Sequence, residues 1–420
     1  MKCNILSLGC PKNLVESEEI IGTLGAAGAE IAIRPDDADI LIINTCGFIE
    51  PAMQETRDEI QKALVIAQQT DALVYVYGCA VDRNEEDLRT TFPEISRFFH
   101  IQQRQEMIEA ILNHHITRTN RLVTTHGYAY LKIADGCSNH CAYCTIPLIR
   151  GPFRSIPEHD ILEHVHELAD LGIKELILVA QDTTRYGEDL YGESRLADLI
   201  RSCGEIQGIS WVRLLYAHPR GITDTLLSEF KQNERVCNYL DMPIQHINDR
   251  LLNMVNRQTS KRQIDRIFSR LSKIKGFSVR TTVIAGLPTE TDLEFMELIN
   301  YLKQSIIGWL GVSKYYPESG TRAASLPQLD PKLIDERYDQ LLDVQQELLQ
   351  KRYKEDLGTT SMIMIHGRNG LYQGHNEHSC PEIDDPILIK DQSLRYGHFY
   401  PARFDHLDEK HRYAEIIHEK

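Results

Sequence analysis

The chain has no excess of basic residues and no apolar run long enough for a membrane, and each absence narrows what it does. Its 46 Lys and Arg stand against 61 Asp and Glu, a formal net charge of −15. A protein that lives on nucleic acid needs the opposite balance, whereas basic partners suit this one. No stretch approaches the ~20 apolar residues that span a bilayer, so no membrane role is expected. The opening Met1-Lys-Cys-Asn-Ile-Leu-Ser-Leu-Gly9 has no signal-peptide layout and runs straight into a strand. A cytoplasmic protein is expected, and there ten cysteines argue for metal or catalysis rather than disulfides. With 420 residues, 42% of them hydrophobic, the chain has room for two or three domains, each with its own core.

What the chain does have is a tight cysteine cluster, Cys137-Ser-Asn-His-Cys141-Ala-Tyr143-Cys144, spaced CxxxCxxC. It follows an apolar strand-like run at 128–133 and a turn at Asp135-Gly136. Three thiolates this close on one loop can converge on a soft metal centre. Three ligands leave a cubane 4Fe–4S cluster with one iron free to chelate a small molecule. A zinc site with His140 or a distant fourth ligand, and plain buried thiols, are the alternatives.

Residues 1–115 alternate strand, turn and helix. Strands are expected at 5–8, 39–43 and 72–77, with helices at about 14–27 and 51–69, a small parallel α/β sheet. Cys10, Cys46 and Cys79 each come just after one of these strands, beside Gly9, Gly47 and Gly78. Loops at the carboxyl ends of parallel strands share one edge, where ligands bind. The three cysteines are thus expected to meet and hold a second iron–sulfur site; three inert buried thiols are the alternative. Cys3, Cys203, Cys237 and Cys380 read as core.

A polar segment at 116–127 reads as a linker. Beyond it, 128–355 carries six strand–helix units, with strands near 128–133, 175–180, 211–216, 238–241, 279–285 and 310–315. Six such units make an open (β/α)6 partial barrel with the CxxxCxxC loop at its C-terminal mouth. Gln181, Gln245 and the Gly286-Leu-Pro288 turn end other strands at that mouth, either to meet a ligand or to pack the loops. Arg150 and Arg154 lie near the cysteine loop, to pair with a carboxylate or to face solvent. No catalytic acid or base stands out. Residues 356–420 read as a small β-barrel from runs at 361–366, 386–390 and 413–417. There, eleven Asp and Glu against seven Lys and Arg favour a basic protein partner over RNA. Seven scattered histidines in this segment read as surface residues.

CxxxCxxC with Tyr143 before the last cysteine resembles the radical S-adenosylmethionine (SAM) enzymes. The resemblance implies that SAM binds the open iron and that the reduced cluster cleaves it to a 5′-deoxyadenosyl radical. Leu8-Gly-Cys-Pro-Lys-Asn-Leu-Val-Glu-Ser-Glu18, Asn44-Thr-Cys-Gly-Phe-Ile-Glu50 and Tyr77-Gly-Cys79 look like the N-terminal domain of the methylthiotransferases, which carry a second cluster. The wording after Cys10 and Cys46 resembles the RimO type, which modifies a ribosomal protein, more than the tRNA-modifying MiaB type. The resemblance thus implies two 4Fe–4S clusters, on Cys10, Cys46 and Cys79 and on Cys137, Cys141 and Cys144. It implies SAM contacts from Tyr143, Gln181, Gln245, Gly286 and Pro288, and a TRAM-like C-terminal barrel. The implied activity is methylthiolation of an aspartate β-carbon in small-subunit ribosomal protein number twelve, with tRNA adenosine as alternative substrate. A non-catalytic iron–sulfur protein that docks on ribosomes is the reading outside enzymes. Neither the reductant protein nor the sulfur donor can be read from the residues. The chain departs from the family pattern at Glu16, Ile156 and Thr289, where Asp, Arg and Gly are usual.

Overall fold

A computed structural model describes residues 1–391, 393–408 and 410–418. The first sheet comprises β1 (Lys2–Ser7), β2 (Glu30–Ile31), β3 (Ile40–Thr45), β4 (Leu73–Gly78) and β5 (Arg97–Phe99), ordered β2-β1-β3-β4-β5 and parallel throughout. β3 is buried along its whole length because helices cover both faces. Leu41 and Ile43 pack with Met53 and Ile60 of the helix Glu50–Thr70, while Ile40 and Ile42 pack with Ile20 and Leu24 of the helix Pro11–Ala26. The alternation of faces along a strand makes that division. β2 and β5 were not expected: two and three residues are too few to show a period. Cys3 lies in this core, fully buried.

The central sheet follows the expected order strand by strand. β6 (Tyr128–Lys132) leads into the short antiparallel pair β7 (Ala134–Asp135) and β8 (Arg154–Ser155), which brackets the cysteine loop. β9 (Glu175–Val179), β10 (Trp211–Leu214), β11 (Val236–Asp241), β12 (Ser278–Ala285) and β13 (Ile307–Lys314) then add one after another beside β6. The sheet is parallel and open. Segment 116–127 is no loose tether. It lies across the helix Pro11–Ala26, with Leu122 N–H on Glu18 O at 3.0 Å and the Arg121 guanidinium on the Glu18 carboxylate at 2.6 Å.

The last sheet is a closed five-stranded barrel of β14 (Thr360–Asn369), β15 (Leu371–His375), β16 (Ile387–Ile389), β17 (Phe399–Leu407) and β18 (Arg412–Ile416). β15 and β17 go beyond the runs read from sequence; Gly374 within β15, and Pro401 and the bulge near His406 within β17, weaken their pattern. The segment after β15, residues 376–385, fills the hollow of the open central sheet. Arg213, fully buried, pairs with Glu175 at 2.6 Å and donates to Asn376 O and Glu377 O. Trp309 Nε1–H donates to His378 O, Tyr130 O–H to Glu382, and Arg280 pairs with Asp384 at 3.2 Å. Cys237 and Cys380 lie in one apolar cluster with Tyr130, Tyr239 and Trp309. An incomplete barrel leaves polar and apolar interior groups uncovered, and this segment covers them.

In the C-terminal segment the charge balance is qualified and one histidine reading is corrected. Asp384 is held inside by Arg280 of the central sheet, so part of the segment's acid excess is spent internally, while the Asp356–Arg412 pair leaves its balance unchanged. His375 is buried and bonded to Glu175 rather than exposed. Among the described residues, no helix is long and apolar enough to cross a membrane.

Candidate functional site

The cysteine loop 137–144 is fastened from three directions. Cys137 N–H donates to Gly151 O at 3.1 Å, and Ala142 N–H to Val255 O at 2.8 Å. The Asn139 amide donates to Asp182 at 2.6 Å, while the Asn139 and His140 carbonyls accept from Gln258 and Asn256. Cys137 and Cys141 are each 9% exposed, and Cys144 is partly buried. Burial pushes the Cys137 thiol up and the Cys144 thiol to about 12, with the neighbouring cysteines adding to both. Thiols of this kind stay protonated until a metal replaces the proton. Tyr143 packs with Val255, Ile284 and Leu287. His140 is exposed, with φ of 52°, so it makes no buried fourth ligand. Among the described residues, no three His, Cys, Asp or Glu side chains converge as one metal ion requires. Thiolates on a cubane stand wider apart, at separate corners.

Three strand ends present side-chain atoms that are buried without a hydrogen-bond partner. They are both amide atoms of Gln181 after β9, Nε2 of His218 after β10 and Oε1 of Gln245 after β11. Gln245 is also held at φ of 71° by a bridge to Val283. Burial pushes the His218 imidazolium down to about 2, helped by Arg257, so the ring is neutral. Its Nδ1 accepts from Arg220 N–H, which leaves Nε2 with the proton. Buried unpaired donors and acceptors cost free energy unless a ligand meets them. A polar ligand in this mouth, such as an amino acid carrying a nucleoside, fits that donor set. Gly286, with φ of 80°, is packed closely in the same mouth: a Cβ there would come within 2.5 Å of Ile334. Its N–H is tied to buried Glu290, and Pro288 is buried in the same turn.

Arg257, 6% exposed, was not singled out from sequence. It donates from Nη1 to Cys141 Sγ at 3.6 Å and from Nη2 to Pro243 O. Nothing in its local sequence signals this, since the contact spans 116 residues. Arg154 is exposed. Arg150 turns the other way, toward the first sheet.

There, Cys10, Cys46 and Cys79 sit on adjacent loops. Asn13 Oδ1 lies 4.0 Å from Cys10 Sγ and 3.9 Å from Cys79 Sγ, and Cys46 packs against Gly9, where a Cβ would come within 2.8 Å of its sulfur. Gly47 likewise lets its loop touch Cys79 O. The glycines beside the cysteines therefore bring loop against loop. Burial pushes the Cys79 thiol up to about 12, against the pull of Arg150.

Arg150 Nη2 donates to Cys79 Sγ at 3.3 Å and to Asn13 Oδ1 at 2.8 Å. Its Nη1 pairs with Glu16 at 2.7 Å and Asp135 at 3.0 Å, and Lys132 joins Glu16 at 2.9 Å. Burial alone would raise the Glu16 carboxyl, but Lys132 and Arg150 hold it well below the usual carboxylate range. Thr145, next to Cys144, donates to Phe48 O at 2.7 Å, two residues past Cys46. The two cysteine triads therefore lie on facing sides of one seam.

This fold and this cysteine loop define a radical SAM enzyme. Residues 131–302 match the radical SAM superfamily, and residues 2–100 match the uncharacterized protein family UPF0004. Over 95% of its length the chain is 37% identical to the ribosomal protein uS12 methylthiotransferase RimO of Clostridium acetobutylicum, covering 94% of that protein. To the same-named protein of Carboxydothermus hydrogenoformans it is 40% identical, covering 94% of this chain and 95% of the other. The chain belongs to the RimO family of radical SAM methylthiotransferases. Among solved structures, the radical SAM methyltransferase TsrM of Kitasatospora setae shares the fold, with a TM-score of 0.55 at 14% identity over 77% of this chain and 76% of that one. Membership in the superfamily implies a 4Fe–4S cluster and SAM.

Proposed function

We propose that this enzyme adds a methylthio group to the β-carbon of one aspartate in the small-subunit ribosomal protein uS12. The likeness to proteins of that name along nearly the whole chain carries the reading. Cys137, Cys141 and Cys144 would hold the cluster that binds SAM, with Gln181, His218 and Gln245 meeting the SAM polar groups. Cys10, Cys46 and Cys79 would hold a second cluster. The domain limits that go with this reading are 1–115, a linker at 116–127, 128–355 and 356–420.

When bound, cluster and SAM supply a radical able to take a hydrogen atom. The chemistry needs one, because an aspartate β C–H is too weakly acidic for a side-chain base. The chain's own residues exclude water and fix positions. Asn139, Asn256 and Gln258 hold the cysteine loop, Arg257 sets a positive charge beside Cys141, and Arg150 with Glu16 keeps the first domain against the mouth.

Mass spectrometry of uS12 and of bulk tRNA from a deletion strain tests the reading. We expect uS12 to lose the mass of one methylthio group and tRNA to be unchanged. Loss of methylthioadenosine from tRNA, with uS12 unaltered, would overturn it.

A further inference from the structure

Lys12 is a largely buried residue whose ammonium has no anion beside it among the described residues. It occupies the second position of the helix Pro11–Ala26, whose first turn has no acidic residue. A helix N-terminus favours negative charge, so a lysine there is out of place unless something else uses it. The side chain is 6% exposed. Its Nζ stands 3.5 Å from the centre of the Tyr216 ring, and among the described residues the ammonium makes no hydrogen bond or ion pair. The nearby carboxylates are taken: Glu16 by Lys132 and Arg150, Asp241 by Arg280 and by Tyr216 N–H.

Its location is specific. Lys12 follows Cys10 by two residues, and Tyr216 precedes His218 by two at the end of β10. The ammonium thus sits on the seam between the two cysteine triads. Tyr216 is held there at φ of 57°, a conformation that a bulky residue adopts only where its surroundings impose it. A ring face is a weak partner for an ammonium beside what a carboxylate offers.

We propose that Lys12 binds the side-chain carboxylate of the aspartate to be modified, and so selects aspartate as substrate. The inference rests on the uS12 reading and deepens it. The carboxylate on the ammonium would fix the β-carbon, one bond away, in the seam.

Two synthetic peptides of uS12 centred on the modified position mapped by mass spectrometry, with Asp or with Asn there, test this by fluorescence anisotropy on reconstituted enzyme with SAM. Wild type should bind the Asp peptide about tenfold or more tightly than the Asn peptide. Lys12→Arg should keep the preference, and Lys12→Met, matched for iron content, should bring the ratio close to one. If Lys12→Met does not load iron, Lys12→Gln takes its place. A wild-type ratio in the uncharged variant, or no preference in wild type, overturns the role of Lys12 while leaving the substrate to the mass-spectrometric test. Binding of neither peptide, with tight binding of a tRNA stem-loop, overturns the substrate reading and this inference together.

Discussion

Two arginines each donate to a cysteine sulfur, Arg150 to Cys79 and Arg257 to Cys141, yet their surroundings are opposite. Arg150 is enclosed by Glu16 and Asp135, and with Lys132 the four charges cancel. Arg257 has no carboxylate within ion-pair distance among the described residues and rests on a backbone carbonyl. A neutralised arginine acts as a fastener and as a hydrogen-bond donor. An uncompensated one keeps its charge for whatever binds beside it. Arg150 therefore ties the first triad into the seam between domains, while Arg257 keeps a free positive charge beside the second.

The largest effects should come from the triads themselves. Changing Cys137, Cys141 and Cys144 to Ala should abolish SAM cleavage and cut reconstituted iron from about eight per chain to about four. Changing Cys10, Cys46 and Cys79 to Ala should halve the iron equally but spare 5′-deoxyadenosine formation under strong reductant, with no methylthio product. Chromatography of the nucleoside and an iron assay read both. Loss of SAM cleavage in the second variant would erase the division of labour.

The arginines should separate on stability. Arg150→Met leaves Glu16 and Asp135 with Lys132 alone, and Glu16→Gln leaves two buried cations short of a partner. Each should cost about 3–5 kcal/mol in chemical denaturation of the metal-free chain. Arg257→Met removes a buried charge that has no counter-ion, so it should change that stability by only about 1 kcal/mol or less while weakening iron retention. Equal losses in the two variants would break the comparison.

Deleting the C-terminal barrel, a natural way to test recruitment of a basic partner, would uncover Arg213, Trp309 and Tyr130. Unfolding of the central sheet is expected, so point changes on the barrel's outer face are the sounder test. The hollow also predicts a response to acid. Burial would raise the Glu175 carboxyl, but Arg213 and His375 bring it down to about 2, and burial brings the His366 imidazolium down to about 3. Both folded values lie below the unfolded ones, so both groups stabilise at neutral pH. The His366 contribution should fade as pH falls from about 6.5 toward 3, and the Glu175 contribution from about 4.5 toward 2. Thermal unfolding across that range should show a falling midpoint, and His366→Gln should flatten its upper part.

What sequence discloses depends on how far apart partners lie. The cysteine loop shows itself because its chemistry is spaced within eight residues, and the first triad because each cysteine ends a strand of a repeating unit. The contact of Arg257 with Cys141, and those of the 376–385 segment with Arg213 and Tyr130, span more than a hundred residues and leave no local period. Glu16 registered only as a departure from Asp; the structure shows it reaching two cations across a domain seam. Gln181 and Gln245 are legible from their places at strand ends, but that their buried atoms lack partners is visible only in the structure. His218 stands in the same relation to β10 and was passed over, because one histidine before a proline is unremarkable on its own.

The smallest expected effect concerns the other departure that lies at the mouth. Thr289, where the family usually has glycine, has φ of 62°. A β-branched residue in that region is strained by roughly 1–2 kcal/mol. The strain is met by local bonds: Arg250 donates from Nη1 to the Thr289 hydroxyl at 3.1 Å and from Nη2 to its carbonyl at 2.9 Å. Thr289→Gly would release the strain and keep the carbonyl contact. It would also lose the hydroxyl bond, worth about 1 kcal/mol, and give the unfolded chain more freedom, worth about 0.5–1 kcal/mol. The terms nearly cancel, so the midpoint of denaturation should hardly move. Thr289→Val is the sharper partner, since it keeps the branch and the strain but loses the hydroxyl. It should be less stable than Thr289→Gly by about 1 kcal/mol, and the reverse order would show that this turn is not strained.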